Sequence, residues 1–308
     1  MTHFFNRTGL FHWTAINNLS FVNNKKLSRK YNEMNHGNPK GLTESAFHDK
    51  STSLSRSERQ YIQSLHQKKY RYHHTQFILE GIKLVQEAIL ARYPIRKIYI
   101  GKTAQSKNWS QEFNSLVDPE LVQIVSDSEI IAISSLKNPE GVIAIAPISS
   151  HEFSIKLPQL APFIYLWEIN DPGNLGTILR TARWFGIQNV LLSPNSVDPF
   201  SPKVVRGTMG ALFNISIWQN VEFDDLKTYA DNREILLVSA DTSGPPVNSL
   251  HTDRWGLILG NESRGLPDSI LNSSTQTIGI PRYGSGESLN LSVSAGIILN
   301  ELCRQDRG

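Results

Sequence analysis

From residue 55 onward the chain is punctuated by apolar positions whose period switches between helix and strand. Ser55 and Glu58 stand at capping-box spacing ahead of Tyr61, Ile62 and Leu65, which predicts a helix over about 56–68. A short strand at Phe77–Leu79 follows, then a helix carrying Ile82, Val85, Ile89 and Leu90, a break at Pro94 and a strand at Ile95–Ile100, which together read as a βαβ unit. Strands at 121–125 and 141–148, with a helical stretch between them, complete a small α/β domain over 55–148. Residues 149–161 read as a linker. From 162 to 308 strands are predicted at 163–169, 189–193, 215–218, 234–240, 255–260 and 277–280. Helices are predicted between and after them at about 174–185, 201–211, 224–231, 264–271 and 288–302. Strands rich in Ile, Val and Leu on both faces, separated by helices, predict a mostly parallel sheet with helices on both sides.

The first 54 residues do not share this patterning. Residues 1–40 hold six Lys or Arg against one acid, Glu33, amid Asn, Ser and His, so residues 1–54 are expected to form a disordered basic tail; organelle targeting and an upstream extension before Met34 are the alternatives. Elsewhere the composition is ordinary, with 39% hydrophobic and 19% charged residues and no apolar run near the length of about eighteen that a membrane helix needs. With a single cysteine, Cys303, neither a disulfide framework nor a cysteine-rich zinc site is expected, and the cytoplasm is the expected compartment. The formal charge of +3 permits an acidic partner such as nucleic acid without requiring one.

Three segments could carry chemistry, and each directly follows a predicted strand, where ligands gather in open parallel sheets. In NDPGNLGTILRTARWFG (170–186), Asp171, Pro172 and Gly173 make a turn and Asn174 can cap a helix that projects Arg180 and Arg183, either as solvated surface or toward phosphate. In LILGNESRGL (257–266), Glu262 is placed to pair with Arg264, or to hold Arg180 if the loops meet. IPRYGSGESLN (280–290) has the glycines of a phosphate loop, but Leu289 stands where a dinucleotide fingerprint needs its third glycine and no Walker lysine follows. Glu287 would repel a phosphate, so this loop suits a neutral or cationic ligand held by backbone groups, with Ser288 or Asn290 at the start of the next helix.

Taken in order, Asn174-x-Gly176 through Arg180, Gly260-Asn261-Glu262 through Gly265, and Ile280-Pro281 through Gly284 to Ser288-Leu289-Asn290 resemble the motifs of the SpoU (TrmH-like) family of SPOUT-class RNA 2′-O-ribose methyltransferases. The segments KKYRYHHTQFILEGIKLVQEAI and SSLKNPEGVIAI are similar to the small substrate-binding domain that many members carry. Arg282, Leu291 and Ser294 depart from the common pattern, which often has an apolar residue, Val and Ala there.

The resemblance implies an α/β fold with a deep trefoil knot at the C-terminus, a homodimer, and S-adenosyl-L-methionine as cofactor, with no metal and no membrane. It implies Arg180 at the ribose 2′-hydroxyl, with Asn174, Glu262, Ser288 and Asn290 arranging the site. Cofactor contacts would come from Leu259, Gly260, Ile280, Leu289 and Asn290, and RNA contacts from Lys68, Lys69, Arg71 and Arg183. Arginine is a poor base in water because its free pKa exceeds about 12, so positioning the hydroxyl and stabilising charge is as good a role for Arg180 as proton removal. Ribosomal RNA is favoured over transfer RNA as substrate. A catalytically silent RNA-binding protein on the same fold is the alternative, and intact Arg180, Asn174 and Glu262 weigh against it; a nucleotide-dependent oxidoreductase is disfavoured by the missing third glycine and ribose-binding acid.

Overall fold

The computed structural model describes residues 53–107, 116–149, 151–247, 254–286 and 288–304, which form two lobes within one unit running from Lys50. Most of the expected tail, residues 1–52, and Glu287 lie outside the described residues.

The N-terminal lobe opens with α1 (Arg56–Ser64) and α2 (Lys68–His74), followed by β1 (Gln76–Glu80), α3 (Ile82–Leu90), β2 (Lys97–Gly101) and α4 (Lys102–Lys107). It closes with β3 (Val122–Val125), α5 (Asp127–Ile133) and β4 (Val142–Pro147). The single helix expected over 56–68 is thus two, because Gln67 turns extended (φ −98°, ψ 134°) between Leu65 and Lys68. Ser55 does cap α1, accepting from Glu58 N, but the Glu58 carboxylate takes the Tyr99 hydroxyl at 2.8 Å instead of closing the box. A complete box occurs at Ser126 and Glu129, ahead of α5.

The expected βαβ unit is split. The sheet runs β1-β4-β2-β3, and β4 lies antiparallel to both β1 and β2 (Phe77 opposite Ala146, Tyr99 opposite Ile143). The two strands joined by α3 are therefore parallel without touching. Ile62, Leu65, Ile78, Tyr99, Ile130, Ile143 and Ile145 fill the core between this sheet and helices α1 and α5.

The C-terminal lobe is a six-stranded sheet, every pairing parallel. In chain order it comprises β5 (Phe163–Leu166), α6 (Pro172–Trp184), β6 (Asn189–Leu192), α7 (Pro202–Gly207), β7 (Ser216–Trp218) and α8 (Phe223–Asp231). There follow β8 (Leu236–Ala240), β9 (Trp255–Leu259), α9 (Asp268–Ser273), β10 (Gln276–Ile278) and α10 (Leu291–Arg304). The order across the sheet is β10-β8-β9-β5-β6-β7. Strands buried on both faces, such as Phe163, Ile164, Tyr165 and Leu166, explain why their sequences lack alternation.

Helix α7 ends at Gly207 rather than near 211, because Met209 (φ 48°) and Gly210 (φ 90°) are left-handed before a 3-10 turn at Ala211–Asn214. Likewise α9 begins at Asp268 rather than 264, since residues 261–265 close a turn of their own.

Buried charge joins the lobes. Arg71, 3% exposed, donates through Nε to Asp198 at 3.0 Å and through Nη1 to the Leu65 and His66 carbonyls. Asp198 also accepts from Tyr72 Oη at 3.0 Å and Phe200 N at 2.9 Å. Arg71 is therefore a clamp between lobes, and the expectation that it meets RNA is corrected: its cation is enclosed and fully engaged. A second clamp sets Arg206 against buried Glu80 (3.3 Å), which also accepts from Ser134 and Ser135.

Candidate functional site

The carboxyl ends of β10, β8, β9 and β5 lie side by side, and the loops that leave them converge. The loop after β5 turns into α6 at Asp171, whose carboxylate accepts from Asn174 N at 2.8 Å, so the helix is capped by Asp171 and not by Asn174. That frees the Asn174 side chain, 8% exposed as a residue, for another task.

Asn174 links the three sequence motifs. Its Nδ2 donates to Glu262 Oε1 at 3.2 Å, and its Oδ1 accepts from Asn290 Nδ2 at 2.9 Å. Glu262 in turn accepts from the backbone of Asn170 (3.2 Å) and Asp171 (3.0 Å). Asn290 spends its own oxygen on the start of α10, accepting from Ser292 N at 2.9 Å and Ser292 Oγ at 2.6 Å. The row Asn290–Asn174–Glu262 thus fixes the last loop, the first helix and the β9 loop in one frame.

Glu262 makes neither ion pair that its sequence context suggested. Arg264 goes instead to Glu168 (2.6 Å), and Arg180 is exposed without a hydrogen-bond or ion-pair partner among the described residues. Burial pushes the Glu262 carboxyl upward, but the backbone N–H groups of Asp171, Glu262 and Asn170 and the Asn174 amide outweigh it and hold it below the usual value. A carboxylate so held is an anchor, with its lone pairs committed to the loop.

The β9 loop is tightly closed. Asn261 and Gly265 exchange backbone hydrogen bonds (3.1 and 2.9 Å), and a Cβ on Gly260 would sit 2.4 Å from the Gly265 carbonyl carbon, so only glycine fits at 260. Asn261, 7% exposed, donates to the Glu168 carbonyl at 2.8 Å and accepts from Ser263 N and Arg264 N. Asn261 and Glu168 are structural members of the site that the sequence reading left out; the position of Asn261 inside the G-N-E motif was the available signal.

The loop after β8 was also missed, although D-T-S-G-P-P is a turn signature. Ser243 N donates to Asp241 at 2.8 Å, and Gly244 lies so close to β10 that a Cβ there would be 2.4 Å from the Ile278 carbonyl carbon. The following Gly279 donates to the Pro245 carbonyl at 2.7 Å, which brings Ile280 past this loop toward Gly284.

Of the residues expected to contact a cofactor, Leu259 ends β9 with its carbonyl accepting from Trp167 N at 2.9 Å, Gly260 begins the closed turn, and Ile280 is half-buried. Leu289 and Ser288 are exposed, beside Gly284 and Gly286, around which a Cβ would meet nothing. Arg282, the one cation of the described 281–290 loop, donates to the Gly286 carbonyl at 2.8 Å. Apolar side chains, open glycines and backbone groups without a cationic cluster suit an adenosyl sulfonium and do not suit a pyrophosphate.

Of the expected RNA contacts, Lys68 and Lys69 are exposed on α2, near the rings of Tyr72 and Tyr70 (5.9 and 5.7 Å). Arg183 is half-buried, and desolvation holds its pKa below the usual value, partly offset by the charge of Glu87 in α3.

Comparison with known proteins agrees with this geometry. Residues 161–300 match the SpoU rRNA Methylase family, and residues 59–144 match the MRM3-like substrate binding domain. The 23S rRNA (guanosine(2553)-2′-O)-methyltransferase RlmP of Bacillus subtilis is 28% identical over 77% of this chain and 92% of its own. The structure of a TrmH-family protein from Porphyromonas gingivalis is 30% identical, covering 82% of this chain and 99% of that one at a TM-score of 0.70. An AdoMet-bound rRNA methyltransferase structure from Sinorhizobium meliloti is 28% identical, covering 84% and 99% at 0.69. On its motifs, its fold and these relatives, the chain belongs to the SpoU (TrmH) family of RNA methyltransferases.

Proposed function

We propose that this protein transfers a methyl group from S-adenosyl-L-methionine to a ribose 2′-hydroxyl of RNA, with ribosomal RNA favoured over transfer RNA. The observation that carries the reading is the hydrogen-bonded row Asn290–Asn174–Glu262, which ties two loops to the start of α6, the helix that carries the exposed Arg180.

When bound, the cofactor supplies a methyl on a sulfonium, and the protein's task is to present an oxygen in line with it. Gly260, Ile280, Leu289 and the backbone around them would hold the adenosyl portion, with Leu259 beneath. Arg180 orients the ribose hydroxyl and stabilises the negative charge that grows on its oxygen as the hydroxyl proton passes to water, the O–CH3 bond forming as the sulfonium–CH3 bond breaks. Asn174 and Glu262 position the start of α6, and so Arg180 two turns along it; Asn290 holds the loop that carries Ser288 and Leu289.

The N-terminal lobe, with Lys68 and Lys69 exposed on α2, is the RNA-recognition module in this reading. A homodimer is supported by Val293 and Ile297, which are 50% and 40% exposed one turn apart on α10, with Tyr283 exposed in the loop before it. The C-terminal trefoil knot belongs to the same proposal. Incubation with methyl-labelled cofactor and ribosomal or transfer RNA, followed by mapping of ribose methylation, tests the function. Label on ribose supports it, and label confined to bases overturns it.

A further inference from the structure

Trp184 is 84% exposed, whereas Trp218 and Trp255 are 6% and 1% exposed and Trp167 is partly buried. A large aromatic left in water is informative in a way that an exposed Leu is not. It is also well held. Trp184 is the last residue of α6; the chain is capped at Phe185, turns through Gly186 at φ 83°, and is closed by Ile187 N donating to the Ala182 carbonyl at 2.9 Å.

Its place on the helix gives the exposure meaning. Asn174, Leu175, Ile178, Leu179 and Ala182 are buried, so the outward face of α6 presents Thr177, Arg180 and Trp184. Arg180 and Trp184 are four residues apart, neighbours about 5–6 Å from one another on one face. The segment 172–184 contains no Asp or Glu, and the residues beside the tryptophan are threonine and arginine. Against a second copy of the chain an apolar stripe would be expected, as on α10; an exposed aromatic beside an arginine unpaired among the described residues is what single-stranded RNA selects.

We infer that Trp184 is a stacking platform for an RNA base at or next to the nucleotide being methylated. The inference rests on the proposed ribose chemistry at Arg180. Sequence-specific RNA recognition works on nucleotides of loops, bulges and ends whose bases are splayed from the stack, and in such a nucleotide the base hangs from the sugar carbon next to the reacting one. A ribose held at Arg180 therefore leaves an unstacked base within about one helical turn, where the Trp184 ring supplies a π-face. Stacking is tolerant of base identity, so Trp184 positions the substrate without choosing its sequence.

The test uses the full chain with Trp184→Ala and Trp184→Phe, binding labelled single-stranded 12-mer oligouridylate and oligoadenylate, and the corresponding duplex, without cofactor. Trp184→Ala should weaken single-strand binding by about ten-fold while duplex binding changes little, and Trp184→Phe should recover most of the loss. Cofactor affinity and sedimenting mass should match the wild type, and the part of the tryptophan fluorescence quenched by RNA should vanish in Trp184→Phe. Unchanged single-strand affinity in Trp184→Ala overturns the inference, and so does a shift to lower mass, which would make Trp184 a subunit contact. Methyl transfer with unaltered RNA affinity in Trp184→Ala removes this inference alone. Stacking without methyl transfer removes the proposed activity instead, and failure of the wild type to bind RNA removes both.

Discussion

Replacing Arg71 with alanine separates a clamp between lobes from an RNA contact. The side chains of Arg71 and Asp198 are 4% and 5% exposed, so deleting the arginine leaves a carboxylate enclosed with only Tyr72 Oη and Phe200 N as described donors. The carbonyls of Leu65 and His66 lose a donor as well. Breaking one side of such a buried pair costs about 3–5 kcal/mol. For a domain of this size, each kcal/mol moves Tm by about 2–4 °C, so Arg71→Ala should lower Tm by roughly 6–20 °C. Thermal and urea unfolding read the loss directly, and Asp198→Ala should show one of similar size. RNA binding measured where the variant is still folded supplies the contrast. A phosphate contact would reduce the salt slope of binding by about one, whereas a clamp leaves it unchanged. A Tm within 2 °C of wild type together with a reduced slope would refute the reasoning and return Arg71 to the RNA surface.

Other variants test the site itself. Asn290→Asp keeps the acceptor that caps α10 but loses the Nδ2 donor to Asn174, so α10 should persist by circular dichroism while cofactor affinity falls; Asn290→Ala should also lose about 1 kcal/mol of stability in urea. Glu262→Gln carries a pH signature: the Glu262 pKa is depressed on folding, so its contribution is complete above about pH 4.3 and is lost as pH falls through the folded value. The stability gap between wild type and Glu262→Gln should therefore narrow in acid, and a gap independent of pH would remove Glu262 as a charged anchor. Gly176→Ala places a Cβ 3.0 Å from the Gly207 Cα where α6 crosses α7, and should cost about 1–3 kcal/mol by urea unfolding through overpacking.

The parallel sheet was legible because strands covered on both faces are written as unbroken apolar runs, as in FIYL and WGLIL. The split of β1 from β2 by β4 was not, since an antiparallel partner 63 to 71 residues downstream leaves no mark on the local period. Site membership followed from motif order, but its wiring did not. Glu262 has an arginine two positions along the chain and binds none, because the Asn170 and Asp171 amides and the Asn174 side chain reach it first. Arg71 stood in a basic run with Lys68 and Lys69 and looked like them; only the fold shows that its position on α2 faces Asp198 across the lobes. Short-range charge reads as surface until a partner more than a hundred residues away is known.

Methyl transfer from labelled S-adenosyl-L-methionine to ribosomal RNA, compared between the wild type and Arg180→Ala, isolates the ribose chemistry at Arg180. Label on a ribose 2′-oxygen is expected in the wild type, with a fall in kcat of about 10²–10³-fold in Arg180→Ala and cofactor affinity retained. Transfer undiminished by that substitution, or no ribose label on any ribosomal or transfer RNA from a chain that binds the cofactor, would contradict that chemistry.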